Sequence, residues 1–397
     1  MTQPSVTVWW GIPCKSMIPV FRSLREDYGR DVLFVSMYDL PTRRKKLGWS
    51  IPENGKMRLE ILDDEGWKVK VEKHLNDRPG IHIVNGIYHN ERIRYVALRL
   101  TQGGHRFGVI MEAPANLEVG AKRMLKAVLA PIITPMRTRP VAHKAEFVLS
   151  ASGDRQREFE SLGFAPDGIF PFGYFPNFPL LERKDESTTP ALRILCVGYL
   201  EPFKGQDCLL KALALLRARS VPVECIITGF GSAGEALKTL STKLGLANRV
   251  QFVGVVDNER LLELFRWSNV LVAPGLEEPW GIRINEALLS GLPVVVSDGI
   301  GAKELIETSS AGQVFRAGSE ASLADSLDIL FRRLHNGSGL ADLVREFRPS
   351  ITPEAAASYI EKILEHREAV SRGQSVKTIR PIPPWHRLAK SRSTAAA

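Results

Sequence analysis

Short apolar runs rich in β-branched residues alternate with amphipathic segments along most of this chain, in two successive series. The first series opens with a strand-like run in SVTVWWGIP at 5–13 and continues with runs at 31–37, 80–86, 106–111 and 146–152. The second series has runs at 191–198, 223–229, 249–255, 268–275, 292–298 and 311–317. Short apolar runs bounded by turns are typical of buried parallel strands, and the amphipathic segments between them of covering helices. The alternation predicts an α/β fold with two parallel sheets.

A polar stretch, LLERKDESTTPAL at 180–192, interrupts the alternation and favours a linker. We therefore predict two doubly wound domains, at 1–180 and 191–350, facing each other across a cleft. A C-terminal helix is predicted at 351–370, and its return to the first domain is left open. The tail at 371–397 has six Lys or Arg and no Asp or Glu, and we expect it to be mobile.

The composition limits the kind of partner and the compartment. A formal net charge of +9 over 397 residues favours an anionic partner. Clustered aromatic and basic readout motifs are absent, so nucleic acid is not expected. The chain has no run of about 18 apolar residues and no basic, apolar leader. Its four cysteines are scattered, and two of them, Cys196 and Cys225, lie in apolar, strand-like runs. We predict a cytoplasmic protein.

The stretch EEPWGIRINEA at 277–287 places two glutamates, Glu278 and Glu286, eight residues apart across a strand-to-helix turn. A helix beginning at Trp280 or Gly281 would offer free N–H groups to a diphosphate. A carboxylate beside phosphate is reasonable where it accepts hydrogen bonds from neutral hydroxyls. One glutamate is therefore predicted to bind a sugar and the other a ribose. The alternative is an ordinary acid at a helix start and a solvated acid within the helix.

Three further strand-to-helix turns belong to the second series. VGYLEPFKGQD at 197–207 places Lys204 at a helix entry, where it could bind phosphate as a point charge. TGFGSAGEAL at 228–237 contains Gly231, and SDGIGAKELI at 297–306 contains Glu304. A loop lysine or a lone G-x-G is common, so each turn alone is weak evidence.

In order and spacing, these motifs resemble the nucleotide-sugar domain of family 4 of the GT-B glycosyltransferases. The resemblance covers about residues 191–340, through VGYLEPFKG, IITGFG, NRVQFVGVV, the block at 270–306 and AGQVFRAG. The E-x7-E signature, EPWGIRINE, is its most diagnostic part. The N-terminal half resembles the family only in layout and in VLSASGDRQREFESLGF and FPFGYFPNF. The resemblance implies a GT-B fold of two Rossmann-like domains and sugar transfer with retained anomeric configuration, without metal or cofactor.

The resemblance also implies roles for individual residues. Glu278 would bind sugar hydroxyls of a UDP- or GDP-sugar and place the anomeric carbon, Glu286 would bind the ribose, and Lys204 would neutralise the diphosphate leaving group. Gly231 and the turn after Gly254 would admit the base and its ribose. The residues implied to bind the sugar donor besides Glu278 and Lys204 are Tyr199, Gly231, Gly254, Trp280, Gly281, Ile282, Arg283 and Glu286.

Two positions depart from the family pattern. Tyr199 stands where relatives usually have an arginine that pairs with the phosphates, and we hypothesise that Arg283 compensates. Glu112 follows a first-series strand where relatives often have a histidine near the reacting sugar. An acid there could face the acceptor hydroxyl, so Glu112 is a candidate catalytic residue.

The first domain is expected to bind the acceptor, with candidates that follow its strands: Asn85, His89, Glu112 and Asn116. The segment 120–140 sets basic residues beside apolar ones, which favours an anionic membrane surface. A lipid-linked or glycan acceptor and a peripheral position on the inner face of the plasma membrane follow as expectations. An ordinary surface helix is the alternative.

The leading interpretation is a retaining transferase that extends a glycan, such as a lipid-linked surface polysaccharide or lipopolysaccharide intermediate. One alternative is a nucleotide-sugar epimerase of the same fold, against which the E-x7-E block argues. Another is a degenerate, transferase-like subunit that only binds. Tyr199 supports it, whereas the presence of Glu278, Glu286 and Lys204 opposes it.

Overall fold

A computed structural model describes residues 4–46, 49–88, 90–115, 120–181, 191–336, 339–373 and 380–386. The chain divides into two compact units. Unit 1 comprises Met1–Asn177 and Thr352–Pro384, and unit 2 comprises Phe178–Ile351 and Trp385–Ala397. Two acceptor candidates, His89 and Asn116, lie outside the described residues, as does most of the predicted linker.

Unit 1 is built, within the described residues, on seven parallel strands in the order β3-β2-β1-β4-β5-β6-β7. The strands are β1 Val6–Trp10, β2 Val32–Ser36, β3 Arg58–Ile61, β4 Ile81–Asn85, β5 Phe107–Met111, β6 Phe147–Ser150 and β7 Ile169–Pro171. Its helices are α1 Ile18–Tyr28, α2 Thr42–Lys46, α3 Trp67–Asp77, α4 Glu91–Gln102, α5 Gly120–Ala142, α6 Gln156–Ser161 and, from the end of the chain, α14 Pro353–Ser371.

Unit 2 has six parallel strands in its described part, in the order β10-β9-β8-β11-β12-β13. They are β8 Leu192–Val197, β9 Val223–Thr228, β10 Val250–Gly254, β11 Val270–Ala273, β12 Val294–Ser297 and β13 Gly312–Phe315. Its helices are α7 Gln206–Ala218, α8 Gly234–Lys243, α9 Asn258–Trp267, α10 Ile282–Leu289, α11 Lys303–Ser309, α12 Glu320–His335 and α13 Leu340–Phe347. A buried apolar core packs the helices onto this sheet.

The predicted α/β class with two parallel, Rossmann-like sheets is confirmed, and every predicted run contains a strand. Two strands were not predicted, β3 and β7, and both lie at the edges of the unit 1 sheet. β3 has the sequence RLEI and no fully buried residue, and β7 has three residues and ends in Pro171. Edge strands lack the continuous apolar run that marks a buried strand, and they tolerate proline.

The strand order of unit 2 reverses between β8 and β11. From β8 the chain proceeds outward to β9 and β10, and from β11 it proceeds in the opposite direction to β12 and β13. The helices that follow β8 and β11 therefore lie on opposite faces of the sheet, and the general rule for such sheets places a crevice at the carboxyl edge between these two strands. This crevice is the place where a doubly wound sheet usually binds a ligand.

Helix α14 is held in unit 1 by a buried ion pair with Arg30, which follows the end of α1. The Arg30 guanidinium donates to both carboxylate oxygens of Glu361, each at 2.8 Å, and to Glu368 at 3.1 Å. Such a paired fork satisfies a charge that would be costly to bury alone.

Arg30→Ala should destabilise unit 1 by about 3 kcal/mol, because the Glu361 carboxylate would stay buried without its partner. The exposed pair of Arg58 with Asp31 provides the control, and Arg58→Ala should cost less than about 1 kcal/mol. Urea unfolding of both variants measures the difference, and equal losses would contradict the assigned role of the buried pair.

Candidate functional site

The loops that follow β8 and β11 in unit 2 lie directly against each other. The Leu276 N–H donates to the carbonyl oxygen of Phe203 at 2.8 Å. Gly205 has a φ of +70°, and a Cβ added there would lie 2.0 Å from the carbonyl oxygen of Pro274. Only glycine allows so close an approach in this backbone conformation.

This approach brings Lys204 and Glu278 together at the switch point of the sheet. The Lys204 Nζ lies 3.0 Å from Glu278 Oε2, and the two side chains are 19% and 30% exposed. The ion pair thus fixes both side chains, and both remain partly accessible to solvent. The two residues that the sequence singled out in separate motifs form one ion pair.

The backbone of the signature loop is fixed by a second loop, at 298–302. The Glu278 N–H donates to Gly299 at 3.1 Å, and the Glu278 carbonyl accepts from the Gly301 N–H at 3.0 Å. The Trp280 carbonyl accepts from the Ala302 N–H at 2.8 Å. Glu278 and Ile300 accordingly form a short parallel bridge. With the main chain held, only the Glu278 side chain is left to respond to a ligand.

Helix α10 begins at Ile282, slightly later than predicted, with Gly281 as its N-cap at a φ of +97°. No side chain caps this end of the helix. The first N–H groups of a helix have no partner within the helix, and together they favour an anion. A Cβ at Gly281 would also lie 2.7 Å from Ile300 Cγ2, so glycine is required by the packing as well.

Glu286, one turn into α10, forms an ion pair with Arg283. The Glu286 side chain is 1% exposed and that of Arg283 is 33% exposed, so the arginine covers the carboxylate. A buried carboxylate is tolerated when a cation pairs with it. Lys204 with Glu278 and Arg283 with Glu286 thus form two ion pairs at this turn.

Two aromatic candidates are placed differently from each other. Trp280 is buried, and its Nε1–H donates to Asn285 Oδ1 at 2.8 Å, so its ring is not available to a ligand and only its backbone faces the turn. Tyr199, after β8, is exposed and packs edge-on against Phe230, with 5.4 Å between ring centroids.

The glycines predicted to admit a base follow β9 and end β10. Gly231 lies against the carbonyl oxygen of Leu200, and the Gly254 carbonyl accepts two hydrogen bonds that join the ends of β9 and β10. Next to Gly231, the Ser232 hydroxyl and N–H donate to the Glu201 carboxylate at 2.5 and 3.1 Å, which lowers the pKa of Glu201. Sequence reasoning missed this carboxylate.

The acceptor candidates that are described belong to unit 1. Glu112 directly follows β5, and Asn85 is the last residue of the adjacent strand β4. Tyr174, which the sequence did not single out, hydrogen-bonds Glu112. Burial raises the pKa of the Tyr174 phenol well above its ordinary value, and the Glu112 carboxylate raises it further.

Residues 179–333, which include these loops and helices of unit 2, match the family model of glycosyl transferases group 1. Unit 2 contains a group 1 glycosyltransferase domain. The match includes every sugar-donor candidate named above.

Curated relatives of the chain carry glycosyltransferase names. The D-inositol 3-phosphate glycosyltransferase of Nocardia farcinica is 29% identical over 55% of this chain and 48% of its own length. A second enzyme of that name, from Catenulispora acidiphila, is 28% identical over 80% of this chain and 76% of its own. The phosphatidyl-myo-inositol mannosyltransferase of Mycobacterium leprae is 32% identical over 42% of each chain. The matched part of this chain thus spans about half the length of the first of these relatives.

Solved structures share the fold over nearly the whole chain. HepE of Anabaena, in complex with UDP, has a TM-score of 0.67 at 16% identity and covers 91% of this chain and 99% of its own. The sucrose-phosphate synthase of Thermosynechococcus elongatus has a TM-score of 0.66 at 16% identity, over 92% and 100%. The GT-B fold of this chain is thereby shown.

Gly281→Ala should destabilise unit 2 by at least about 1 kcal/mol more than Gly339→Ala. Gly339 is the N-cap of α13 at a φ of +65°, and a Cβ there would meet nothing closer than 3.9 Å. Both variants place an alanine in the left-handed region, which lowers the stability of the folded state by a similar amount. Only Gly281→Ala also brings a methyl group against Ile300. Urea unfolding of both variants gives the comparison. Equal losses would mean that the loop at 298–302 does not constrain the helix start.

Proposed function

We propose that this chain is a retaining glycosyltransferase that transfers a sugar from a UDP- or GDP-sugar to a glycan or lipid-linked acceptor, and that the sugar donor binds in the crevice of unit 2. The observation that carries the proposal is the pair of Lys204 and Glu278, 3.0 Å apart and accessible, beside the uncapped start of α10. Phosphate needs the cation and the helix N–H groups, and a sugar needs the carboxylate.

Sugar-donor binding would exchange the partners of the two ion pairs. The diphosphate would take Lys204, and the released Glu278 would accept hydrogen bonds from sugar hydroxyls. Arg283 covers the Glu286 carboxylate. A bound phosphate would attract the Arg283 guanidinium away from this position. Glu286 would then be open to the ribose hydroxyls. Arg283 would then supply the positive charge that Tyr199 lacks.

The chemical step follows from the movement of charge. Breaking the bond between the sugar and the β-phosphate leaves negative charge on the phosphate and positive character on the sugar ring. The N–H groups at Gly281 and Ile282 together with Lys204 would stabilise the phosphate charge. In this proposal the leaving diphosphate accepts the proton of the acceptor hydroxyl on the same face of the sugar. Retention of anomeric configuration follows, and no step uses a metal.

Glu112 and Tyr174 are the proposed acceptor-side groups in unit 1. Their hydrogen bond gives one acceptor-only group and one hydroxyl donor at the carboxyl end of β5. Because the Tyr174 phenol donates its single O–H to Glu112, both groups face an acceptor hydroxyl with lone pairs and would hold it by accepting its hydrogen bond. Asn85, at the end of the neighbouring strand, is the third candidate.

Helix α5 of unit 1 supports a membrane-associated acceptor. It exposes large apolar side chains along its length, namely Met124, Leu125, Val128, Leu129, Ile132, Ile133 and Met136. Its sequence contains five Lys or Arg and no Asp or Glu. Exposed apolar groups among positive charges favour the surface of an anionic bilayer. No helix in the described part of the chain is both long and apolar enough to cross a bilayer. The Mycobacterium leprae relative is named for a phosphatidyl-inositol lipid, which agrees with this proposal.

The competing interpretations have less support. Neither the family match nor the relatives favour an epimerase. A degenerate binding subunit would have no need for an accessible lysine paired with the first signature glutamate. Tyr199 is compatible with catalysis, since Arg283 lies in the same site and is partly exposed.

Lys204→Gln should lower kcat by about 100-fold and Glu278→Gln by a similar factor, because each removes one polar contact to the developing charge or the sugar. Lys211→Gln is the matched control. Lys211 lies on α7 of the same unit and pairs only with the exposed Asp207 in the described contacts, so its loss should leave kcat unchanged. Turnover of a panel of UDP-, GDP- and ADP-sugars, with EDTA present throughout, provides the measurement.

The transferase would be established if one sugar donor is turned over with EDTA present and this turnover is lost in both Lys204→Gln and Glu278→Gln. Interconversion of two nucleotide sugars would instead establish an epimerase. Binding of a nucleotide sugar without turnover toward any acceptor or water would favour the degenerate subunit and overturn the proposal.

The double substitution of Val128 and Ile132 by Asn should weaken binding to vesicles with anionic lipid by about tenfold or more, because two exposed apolar groups of α5 are removed. Val69→Asn is the control, since Val69 is an isolated exposed apolar residue on α3. Vesicle co-sedimentation at two salt concentrations separates the apolar from the electrostatic part. Undiminished binding of the double variant would exclude α5 as the membrane-contacting element.

A further inference from the structure

Trp385 lies in the tail that the sequence predicted to be mobile, and its side chain is nevertheless 0% exposed. It belongs to unit 2. Its indole ring packs on that of Trp280, with 6.2 Å between centroids, and its Nε1–H donates to Glu304 Oε1 at 2.7 Å. Trp385 is thus a buried residue of unit 2, while the mobility of the tail at 371–397 stays a prediction.

Trp280 and Glu304, which both contact Trp385, belong to the two segments that pack around Glu278. Trp280 lies in the signature loop, and Glu304 lies in the first turn of α11, immediately after the loop at 298–302. Backbone hydrogen bonds already join these loops, through Glu278 and through Trp280. Trp385 adds a side-chain connection across the same two elements.

The contact continues from the tail into α10. Trp280 donates from Nε1 to Asn285 Oδ1 at 2.8 Å, and Asn285 is a fully buried residue of α10. Trp385, Trp280 and Asn285 therefore form a buried series from the tail to the helix whose start is the proposed phosphate site. All three side chains lie on the interior side of the loop, so none of them competes with a ligand for Glu278.

Glu304 contacts the tail through its carboxylate. Its carboxylate accepts the Trp385 indole N–H, a hydrogen bond to a charged group, which is stronger than one between neutral groups. A buried indole N–H group needs a hydrogen-bond acceptor, and Glu304 is the residue that supplies it here. The hydrogen bond and the ring packing together give the tail one defined position.

We propose that Trp385 is a positioning residue for the sugar-donor site, and that its side chain holds the signature loop and the start of α10 in their binding geometry from the interior side. The part of this inference that concerns ligand affinity rests on the proposed function. The part that concerns the loop itself does not, since it can be measured without ligand.

The experiment compares Trp385→Ala and Trp385→Phe with Trp267→Ala in the full chain. Trp267 is the last residue of α9, at the amino edge of the same sheet, and packs against Arg193. Two quantities are measured on each variant: amide hydrogen exchange of the peptide that covers residues 275–283, and the affinity for UDP and GDP by calorimetry.

Trp385→Ala should speed exchange in the 275–283 peptide by about tenfold, while peptides from β11 and β12 keep the exchange rates of the unchanged chain. The affinity for the preferred nucleotide should fall by about tenfold in Trp385→Ala and by a smaller factor in Trp385→Phe, which keeps a ring and loses the N–H donor. Trp267→Ala should alter neither quantity.

The outcomes separate this inference from the function on which it partly rests. Unchanged exchange at 275–283 in Trp385→Ala would overturn the positioning role, whatever the affinity. Faster exchange throughout unit 2 would also overturn it, because Trp385 would then support the whole unit. If the unchanged chain binds neither nucleotide, the proposed function fails, and the exchange data still decide whether Trp385 holds the loop.

Discussion

The close approach of Gly205 to the Pro274 carbonyl is the constraint on which the site depends. Because no side chain intervenes, the loops after β8 and β11 pack main chain against main chain and share the hydrogen bond from Leu276 to Phe203. Lys204 is the neighbour of Gly205, and Glu278 follows Leu276 by two residues. Their 3.0 Å ion pair therefore depends on this backbone contact, while the loop at 298–302 fixes the backbone of Glu278 itself.

The two signature glutamates differ in a way that their spacing does not reveal. Glu278 stands on a loop held by backbone hydrogen bonds and remains partly exposed, whereas Glu286 is buried beneath Arg283. Each carboxylate pairs with a cation and orders it, which limits the reorganisation needed when an anion binds. A carboxylate beside a phosphate site is thus less unfavourable than it looks in sequence, since its charge is already paired.

Buried strands could be predicted from the sequence because buried parallel strands are continuous runs of apolar, β-branched residues. The edge strands β3 and β7 were not predicted because they are short and lack such a run. The motif residues Lys204, Glu278, Gly281 and Glu286 were placed in one unit by their spacing, and the structure brings them together. Their pairing could not be predicted, because which cation meets which carboxylate depends on the approach of loops distant in sequence. Trp280 shows the same limit: the sequence offered it as a ligand contact, and only the packing around Asn285 shows that its ring faces inward.

The signature loop consequently has two faces with separate requirements. One face presents Glu278 and the start of α10 to the crevice, and its residues must remain accessible. The other face carries Trp280 into the interior, where the backbone of the loop at 298–302, Asn285 and Trp385 fix it. Rigidity on the interior face is what lets the exposed face stay uncapped and partly solvated without losing its geometry. A residue far along the chain from any motif, in a short stretch of tail, can for this reason affect how well the crevice is formed.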